Sequence, residues 1–513
     1  MSSLRTATPQ DPSVESAASL ISQHSSPLPT VIVGAGFVGL FTALHLRHHQ
    51  YESPVILIDS QPRFVFKPLL YEYLSGEMQS EEVVPSYEEL LKGSAVTFVQ
   101  DQVTQIDLKA RRVILASGLH YDYRHLVLGL GSTQGYFGTE GASQYAFALR
   151  TQADAETLKY HLRDCLQRAS QCEDAAQRKA LLTFAVVGAG PSGVETAATL
   201  ADLLPSWYAK LNGNLEEIRI VLVNHGSKIL SGDVNAHLQQ TAIDALNNRT
   251  VPVEMLLGVG VKSVSAEGLS YLAKTPNQTE KEQTEKEQTE QSYTVLPAAT
   301  VIWTAGTATH PLLATLPLDE GDRDKHQRPF VTPTLQLLSY PEVFAAGDCA
   351  VVKDSPQPPV AQIAYQQGAG IARNLIAIAK GKSPQSVQAG MRGTLLKLGI
   401  HNGVANLFDK IQIAGEAGDA IRNATYLEML PTPLHNFKAT AEWLTDDIFE
   451  RHQLAKSNRS GDSLSNSSQR PSKNRIGLWV GGAVLLAAVV IGLLVGLKPQ
   501  RSLEPPTQNS PSL

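Results

Sequence analysis

The chain has 513 residues, 42% of them apolar and 18% charged, with a formal net charge of −6. That length allows two or three domains with sizeable cores, and the mild acidity gives no reason to expect nucleic acid as a partner. The three cysteines, Cys165, Cys172 and Cys349, form neither a CxxC pair nor a zinc-ligand pattern, and so low a count fits a reducing compartment.

Residues 1–29 are rich in Ser, Thr, Pro and Gln and lack the apolar core of a signal peptide. They read as a disordered tail in front of a cytoplasmic body. Val31-Ile32-Val33-Gly34-Ala35-Gly36-Phe37-Val38-Gly39 comes next, a short apolar strand running into G-x-G-x-x-G and an Ala/Leu-rich helix. In that context the three glycines predict a dinucleotide site: a tight turn, room for a pyrophosphate, and close helix–strand packing. The phosphates would sit at a helix N-terminus, where free N–H groups favour negative charge. The following strand ends at Asp59, 25 residues after Gly34, where an acid can accept hydrogen bonds from a ribose. Short strands at 96–99, 112–116 and 126–128 predict a β-rich insertion over 94–128. Leu128-Gly129-Leu130-Gly131 reads as a strand end that meets a cofactor.

Residues 151–180 look helical, and Ala185-Val186-Val187-Gly188-Ala189-Gly190-Pro191-Ser192-Gly193 then repeats the glycine pattern. Two such turns in one chain suggest two dinucleotides held face to face, as in hydride transfer from a nicotinamide to a flavin. The second strand of this unit ends at Asn224, 36 residues after Gly188, where an acid is expected. A carboxylate there would repel the 2′-phosphate of NADPH. Neutral Asn224 leaves both outcomes open: NADPH use helped by His225 or Lys228, or NADH held through a hydrogen bond to its 2′-OH. TEKEQTEKEQTEQ, within 274–292, is a polar repeat that reads as a solvated insertion. Asp319–Asp324 lacks the glycine position and terminal glutamate of a calcium loop, and no metal site is expected. Ile476 to Leu497 is 22 residues without a charge, long enough to span a bilayer as a helix. Five basic residues between Lys456 and Arg475 precede it and two, Lys498 and Arg501, follow closely. The positive-inside rule puts the body on the cytoplasmic side. Gly477/Gly481 and Gly492/Gly496 have GxxxG spacing, which suits helix pairing.

Further segments carry a family resemblance. Phe66-Lys67-Pro68-Leu69-Leu70-Tyr71-Glu72 follows the first unit. Val343-Phe344-Ala345-Ala346-Gly347-Asp348-Cys349 resembles the second flavin motif of two-dinucleotide flavoproteins. Ala361-Gln362-Ile363-Ala364-Tyr365-Gln366-Gln367 resembles an AQxxxQ quinone-site motif. Together they resemble the type II NAD(P)H:quinone oxidoreductases, from about Thr30 to His452. Residues 392–399 and 430–443 are similar to cyanobacterial members in particular. The resemblance implies that Gly34, Gly36, Gly39, Asp59, Gly347 and Asp348 hold FAD, and that Gly188, Gly190, Gly193 and Glu195 belong to the nicotinamide-nucleotide site. It also implies that Gln362 and Gln366 line a quinone pocket; their i, i+4 spacing puts them on one helix face. Asn224, the EKEQT insertion and the terminal apolar helix depart from the family pattern.

The expected fold class is α/β, two Rossmann-like dinucleotide-binding domains followed by membrane-associated helices and one transmembrane helix. The expected divisions are 30–150 with 305–385 for FAD, 151–304 for NAD(P)H, 386–455 for a membrane and quinone module with helices over 395–452, a linker over 456–475, the span at 476–497 and a tail at 498–513. The expected activity passes hydride from NADH or NADPH to FAD and two electrons on to a membrane quinone, without proton pumping. The bilayer is an expected partner, and the resemblance leaves a homodimer open. Disulfide reductase chemistry lacks its cysteine pair. A sulfide:quinone oxidoreductase would need a partner for Cys349 later in the chain, and none exists. A slow-turnover redox sensor using the same sites and, despite that missing cysteine, a sulfide:quinone-type oxidoreductase are the alternatives.

Overall fold

The computed structural model describes residues 27–431, apart from Gln50, Asp233, 274–292, Arg392 and 408–409. The N-terminal tail up to residue 26, the EKEQT repeat, the 456–475 linker and the apolar stretch 476–497 therefore lie outside the described residues. So does most of the 430–443 segment.

The principal elements run, in chain order, β1 (Thr30–Val33), α1 (Phe37–His48), β2 (Val55–Asp59), α2 (Leu70–Ser75), β3 (Val96–Gln100) and β4 (His125–Leu128). Then come α3 (Gln152–Gln171), β5 (Thr183–Val187), α4 (Pro191–Ala209), β6 (Arg219–Asn224), β7 (Val253–Leu257), β8 (Thr300–Trp303) and β9 (Val343–Ala345). The last are α5 (Ala361–Ala379), β10 (Gly393–Lys397), β11 (Gly403–Leu407), β12 (Ile411–Gly415) and α6 (Glu416–Glu428).

The chain divides into two compact units. The first holds the described residues up to Gln61, Leu91–Gly131 and Thr309–Gln388. Its centre is a parallel sheet in the order β9-β4-β1-β2-β3. Parallel strands are covered on both faces and so tolerate unbroken apolar runs; all four residues of β1 are buried accordingly. Helix α1 lies against α5 with a glycine at the contact. A Cβ on Gly368 would stand 2.7 Å from the Val38 carbonyl oxygen, and the Thr42 hydroxyl donates to the Gly368 carbonyl at 3.1 Å.

The antiparallel insertion of this unit is smaller than the sequence suggests. Only Val103–Asp107, Arg112–Leu115 and His120–Asp122 form the three-stranded sheet. The flanking strands β3 and β4 belong to the central parallel sheet instead, because their register partners are β2 and β1, some 40 and 95 residues away. Long-range pairing of this kind leaves no local signature.

The second unit holds Pro62–Leu90, Ser132–Ala308 and the described residues from Ala389 on. Segments 62–90 and 132–150, read from sequence as part of the first domain, pack here. A parallel sheet in the order β7-β6-β5-β8 forms its centre. Helix α4 begins with Pro191 in its first turn, where a missing N–H costs nothing. Residues 393–415 also differ from expectation. They form the antiparallel sheet β10-β11-β12, not helices. Helix α6 follows and packs on that sheet.

Candidate functional site

The two glycine turns share one geometry. Gly34 and Gly188 have φ of +90° and +106°, in the region side chains avoid. A Cβ on Gly34 would lie 2.6 Å from the Gly129 carbonyl oxygen, and one on Gly188 would lie 2.8 Å from the Ala305 nitrogen. A Cβ on Gly39 would run into the Gly34 carbonyl oxygen, and one on Gly193 into that of Gly188. The chain's own backbone thus accounts for the first and third glycines of each turn.

The middle glycines are different. Around a Cβ on Gly190 nothing lies within 4 Å, and on Gly36 the nearest atom is the Gly129 carbonyl oxygen at 3.9 Å. Both have φ near −70°, a conformation open to any residue. Neither backbone strain nor an internal neighbour explains a glycine there. Each cradles the N-terminal end of a buried helix and has the open space that an approaching pyrophosphate requires. The residues present therefore fit a dinucleotide at both turns.

The strand ends also correspond. Asp59 accepts from the Ala35 N–H at 2.7 Å and the Gln61 N–H at 2.9 Å. Burial raises its proton affinity, and those N–H donors oppose the rise. Asn224 accepts from the Ala189 N–H at 3.2 Å, the equivalent atom of the second turn. Its amide nitrogen donates to the carbonyls of Gly226 (3.1 Å) and Lys228 (3.0 Å). Both amide hydrogens are therefore spent on folding the 225–228 loop back onto the strand end.

In the first unit, Gly347 and Asp348 lie in a tight turn at the end of β9. Gly347 has φ +72°, and a Cβ on it would lie 2.9 Å from Val38 Cγ2. The structure thus brings this turn beside the helix of the first glycine motif. Gln362 and Gln366 stand on the first turns of α5, half-buried, with the Gln366 amide donating to the Gln362 carbonyl at 2.8 Å. Sequence reasoning passed over Gln367. It is 5% exposed and accepts from the Gly347 N–H at 2.7 Å. Cys349 is buried and donates to the carbonyls of Leu128 (3.3 Å) and Ala346 (3.1 Å). Burial pushes its thiol up to about 11, so thiolate is scarce at neutral pH.

In the second unit Glu195 is buried in a charged cluster. Its carboxylate accepts from the Lys397 backbone N–H at 2.9 Å, and Arg422 stands 3.7 Å away. The Tyr71 side chain also lies near it. Lys397 reaches Glu77 at 2.7 Å and Glu72 at 3.2 Å, while Arg422 pairs with Glu72 and donates to the Pro68 carbonyl at 2.7 Å. Burial pushes Glu195 up to about 7, against the pull of Arg422 and of the Lys397 N–H. Burial also raises Asp419, against Lys397 and Arg422. Burial would raise Glu72 as well, but Arg422 and Lys397 outweigh it and hold Glu72 below the usual range. Two cations thus face four carboxyl groups, and burial raises the proton affinity of two of them, Glu195 and Asp419. None of Glu72, Glu77, Lys397, Asp419 or Arg422 was singled out from sequence as part of a site. The FKPLLYE segment, noted only for its resemblance, supplies the first of them.

A family model described as pyridine nucleotide-disulphide oxidoreductase matches residues 28–368. The chain is 30% identical over 427 residues to a demethylphylloquinone reductase, NdbB, of Synechocystis sp., covering 81% of this chain and 95% of that one. It is 28% identical to a type II NADH:quinone oxidoreductase of Staphylococcus aureus, covering 75% of this chain and 91% of that one. Among solved structures, NDH2 of Plasmodium falciparum in complex with NADH superimposes with a TM-score of 0.71 at 18% identity, over 82% of this chain and 98% of that one.

Proposed function

Since the chain belongs to the pyridine nucleotide-disulphide oxidoreductase family and, within it, to the type II NADH:quinone oxidoreductases, we infer that it oxidises NAD(P)H and reduces a membrane quinone. The balance is NAD(P)H + H⁺ + quinone giving NAD(P)⁺ and quinol. The observation that carries this reading is the pair of glycine turns whose middle positions stand open while the flanking glycines are packed by the chain itself. Bound FAD would supply a two-electron carrier between nicotinamide and quinone.

Gly34, Gly36, Gly39, Asp59, Gly347 and Asp348 are the residues to hold FAD. Gly188, Gly190, Gly193 and Asn224 are those for the nicotinamide nucleotide. Gln362 and Gln366 would offer amide groups to quinone carbonyls. Glu195, two residues after the third glycine, brings a carboxyl group that exchanges its proton near neutrality. Asn224 supports use of NADPH beside NADH. It places no negative charge at the strand end, and its amide is committed to the 225–228 loop.

The finer readings rest on sequence. Among the described residues no helix is long and apolar enough to cross a membrane. The uncharged stretch 476–497 supports a single-pass anchor that keeps the catalytic body on the cytoplasmic side of its membrane. Its two GxxxG pairs support a homodimer.

Steady-state oxidation of NADH and NADPH by the FAD-loaded protein, with and without a short-chain quinone, tests the reading. Quinone should accelerate both, with turnover on the order of 10 s⁻¹ or more. Flavin that is reduced but not reoxidised by quinone would remove the quinone assignment, and far slower turnover would favour sensing.

A further inference from the structure

We propose that Gln367 is a positioning residue for the flavin, holding the Gly347–Asp348 turn in place from the helix that carries the two quinone-facing glutamines. The inference rests on the reading that this turn binds FAD. Three observations carry it, all inside the first unit. Gln367 is 5% exposed, and its side-chain carbonyl takes the Gly347 N–H at 2.7 Å. Its amide nitrogen donates to the Gln357 side-chain carbonyl at 2.9 Å. Gly347 itself is fixed by a left-handed φ of +72° and by the close approach of Val38.

A buried polar side chain must have its hydrogen bonds met, and Gln367 meets its own by gripping the turn. The turn's first N–H is thereby directed at α5. Asp348 is the next residue of that turn, and Gln366 is Gln367's own neighbour in the chain. The sequence pattern obscures this role. Gln362 and Gln366 share a face at i, i+4, whereas Gln367 is rotated by one residue, about 100°, onto the face that meets β9's turn.

The experiment compares wild type with Gln367→Met and Gln367→Glu, with Asp348→Ala as reference. FAD release is followed by flavin fluorescence on dilution, and the flavin midpoint potential by dye-coupled reduction. Methionine keeps the shape and loses the acceptor, so FAD affinity should fall about tenfold, the scale of one buried hydrogen bond. Glutamate keeps the acceptor, and Gln357 can turn its amide to donate to it. Affinity should then stay within about twofold of wild type, while the added negative charge moves the midpoint to more negative values. Affinity lost with methionine and kept with glutamate is the pattern that a merely space-filling glutamine would not give. If Asp348→Ala weakens FAD and Gln367→Met does not, the proposal is overturned and the flavin assignment stands. If neither weakens FAD, the flavin assignment of this turn falls and the proposal with it. Should Gln367→Met fail to fold, Gln357→Leu decides, because it removes the partner that orients the Gln367 amide: weaker FAD binding supports the proposal, and unchanged binding overturns it.

Discussion

The two glycine turns are built alike and surrounded differently. In each, the first and third glycines are pressed by backbone and the middle one is open, and a strand-end oxygen takes the N–H between the first two glycines. Two residues beyond the third glycine they part. In the first unit that position is Phe41, whose ring meets Tyr365 edge-on at 4.6 Å. In the second it is Glu195, among Lys397, Arg422 and Tyr71. At the strand ends Asp59 brings an ionisable carboxyl and Asn224 a neutral amide. A shared binding geometry is thus set once in apolar packing and once in an ionisable network. The second is the one with a group able to trade a proton at neutral pH.

Removing the network's central cation should break the contrast most. Arg422→Met leaves Glu72 and Glu195 buried with Lys397 alone. Losing one partner of a buried ion pair costs about 3–5 kcal/mol, to be read as a fall in the unfolding midpoint in denaturant. A change below about 1 kcal/mol, the scale of an exposed pair, would mean that the cluster is more hydrated than its burial indicates.

The turns themselves give the next effect. Gly39→Ala and Gly193→Ala drive a methyl into a carbonyl oxygen of the same turn; overpacking of this kind costs about 1–3 kcal/mol or more. Gly36→Ala and Gly190→Ala meet no such neighbour and should melt within about 0.5 kcal/mol of wild type, while binding their nucleotides more weakly. Equal destabilisation at all four positions would show that the middle glycines serve the fold and not a ligand.

Asn224→Asp restores the acid found at the first strand end. Repulsion of the 2′-phosphate should lower kcat/KM for NADPH about 10- to 100-fold, or about 1.4–2.7 kcal/mol, with NADH changed less than about threefold. Steady-state kinetics with both nucleotides checks this. A wild type that already rejects NADPH would end the reading of Asn224 as permissive.

What the sequence revealed and what it hid follow one rule. The glycine turns, Asp59 and Asn224 were legible because a strand, turn and helix lie within about 40 contiguous residues. The partners of Glu195 were not, since Lys397 and Arg422 come from more than 200 residues away. Both also lie in a stretch read as membrane-facing helix. The five-residue strand Gly393–Lys397 is too short for periodicity to separate from a helix segment. Leu427 and Leu430, within the stretch expected to hold membrane-associated helices, are buried within the second unit. The 94–128 insertion was drawn too wide for the same reason: β3 and β4 are defined by distant partners. Gln367 was missed because the motif drew attention to the spacing of its neighbours.

The smallest expected effect is the most specific to the contrast. Glu195 sits at about 7 against an ordinary 4.5, the rise coming from burial, partly offset by Arg422 and the Lys397 N–H. Its native state therefore holds a proton that the unfolded chain has already released. Between those two values the folded protein binds more protons than the unfolded one, so this group makes stability fall as pH rises, with no further loss above about 7. Glu195→Gln removes the titration while keeping size and a hydrogen-bond acceptor for the Lys397 N–H. Its melting temperature should therefore decline less than that of wild type from pH 5 to pH 8. The quinone-reductase rate of wild type should inflect near pH 7 by several-fold, and that of the variant should stay flat there. The Phe41 side of the comparison supplies the control. Phe41→Leu adds and removes no ionisable group and should leave the inflection where it is. An inflection that survives in Glu195→Gln would move the titrating group elsewhere, with Asp419, the other carboxyl of the cluster whose proton affinity is raised, the first to examine by the same substitution.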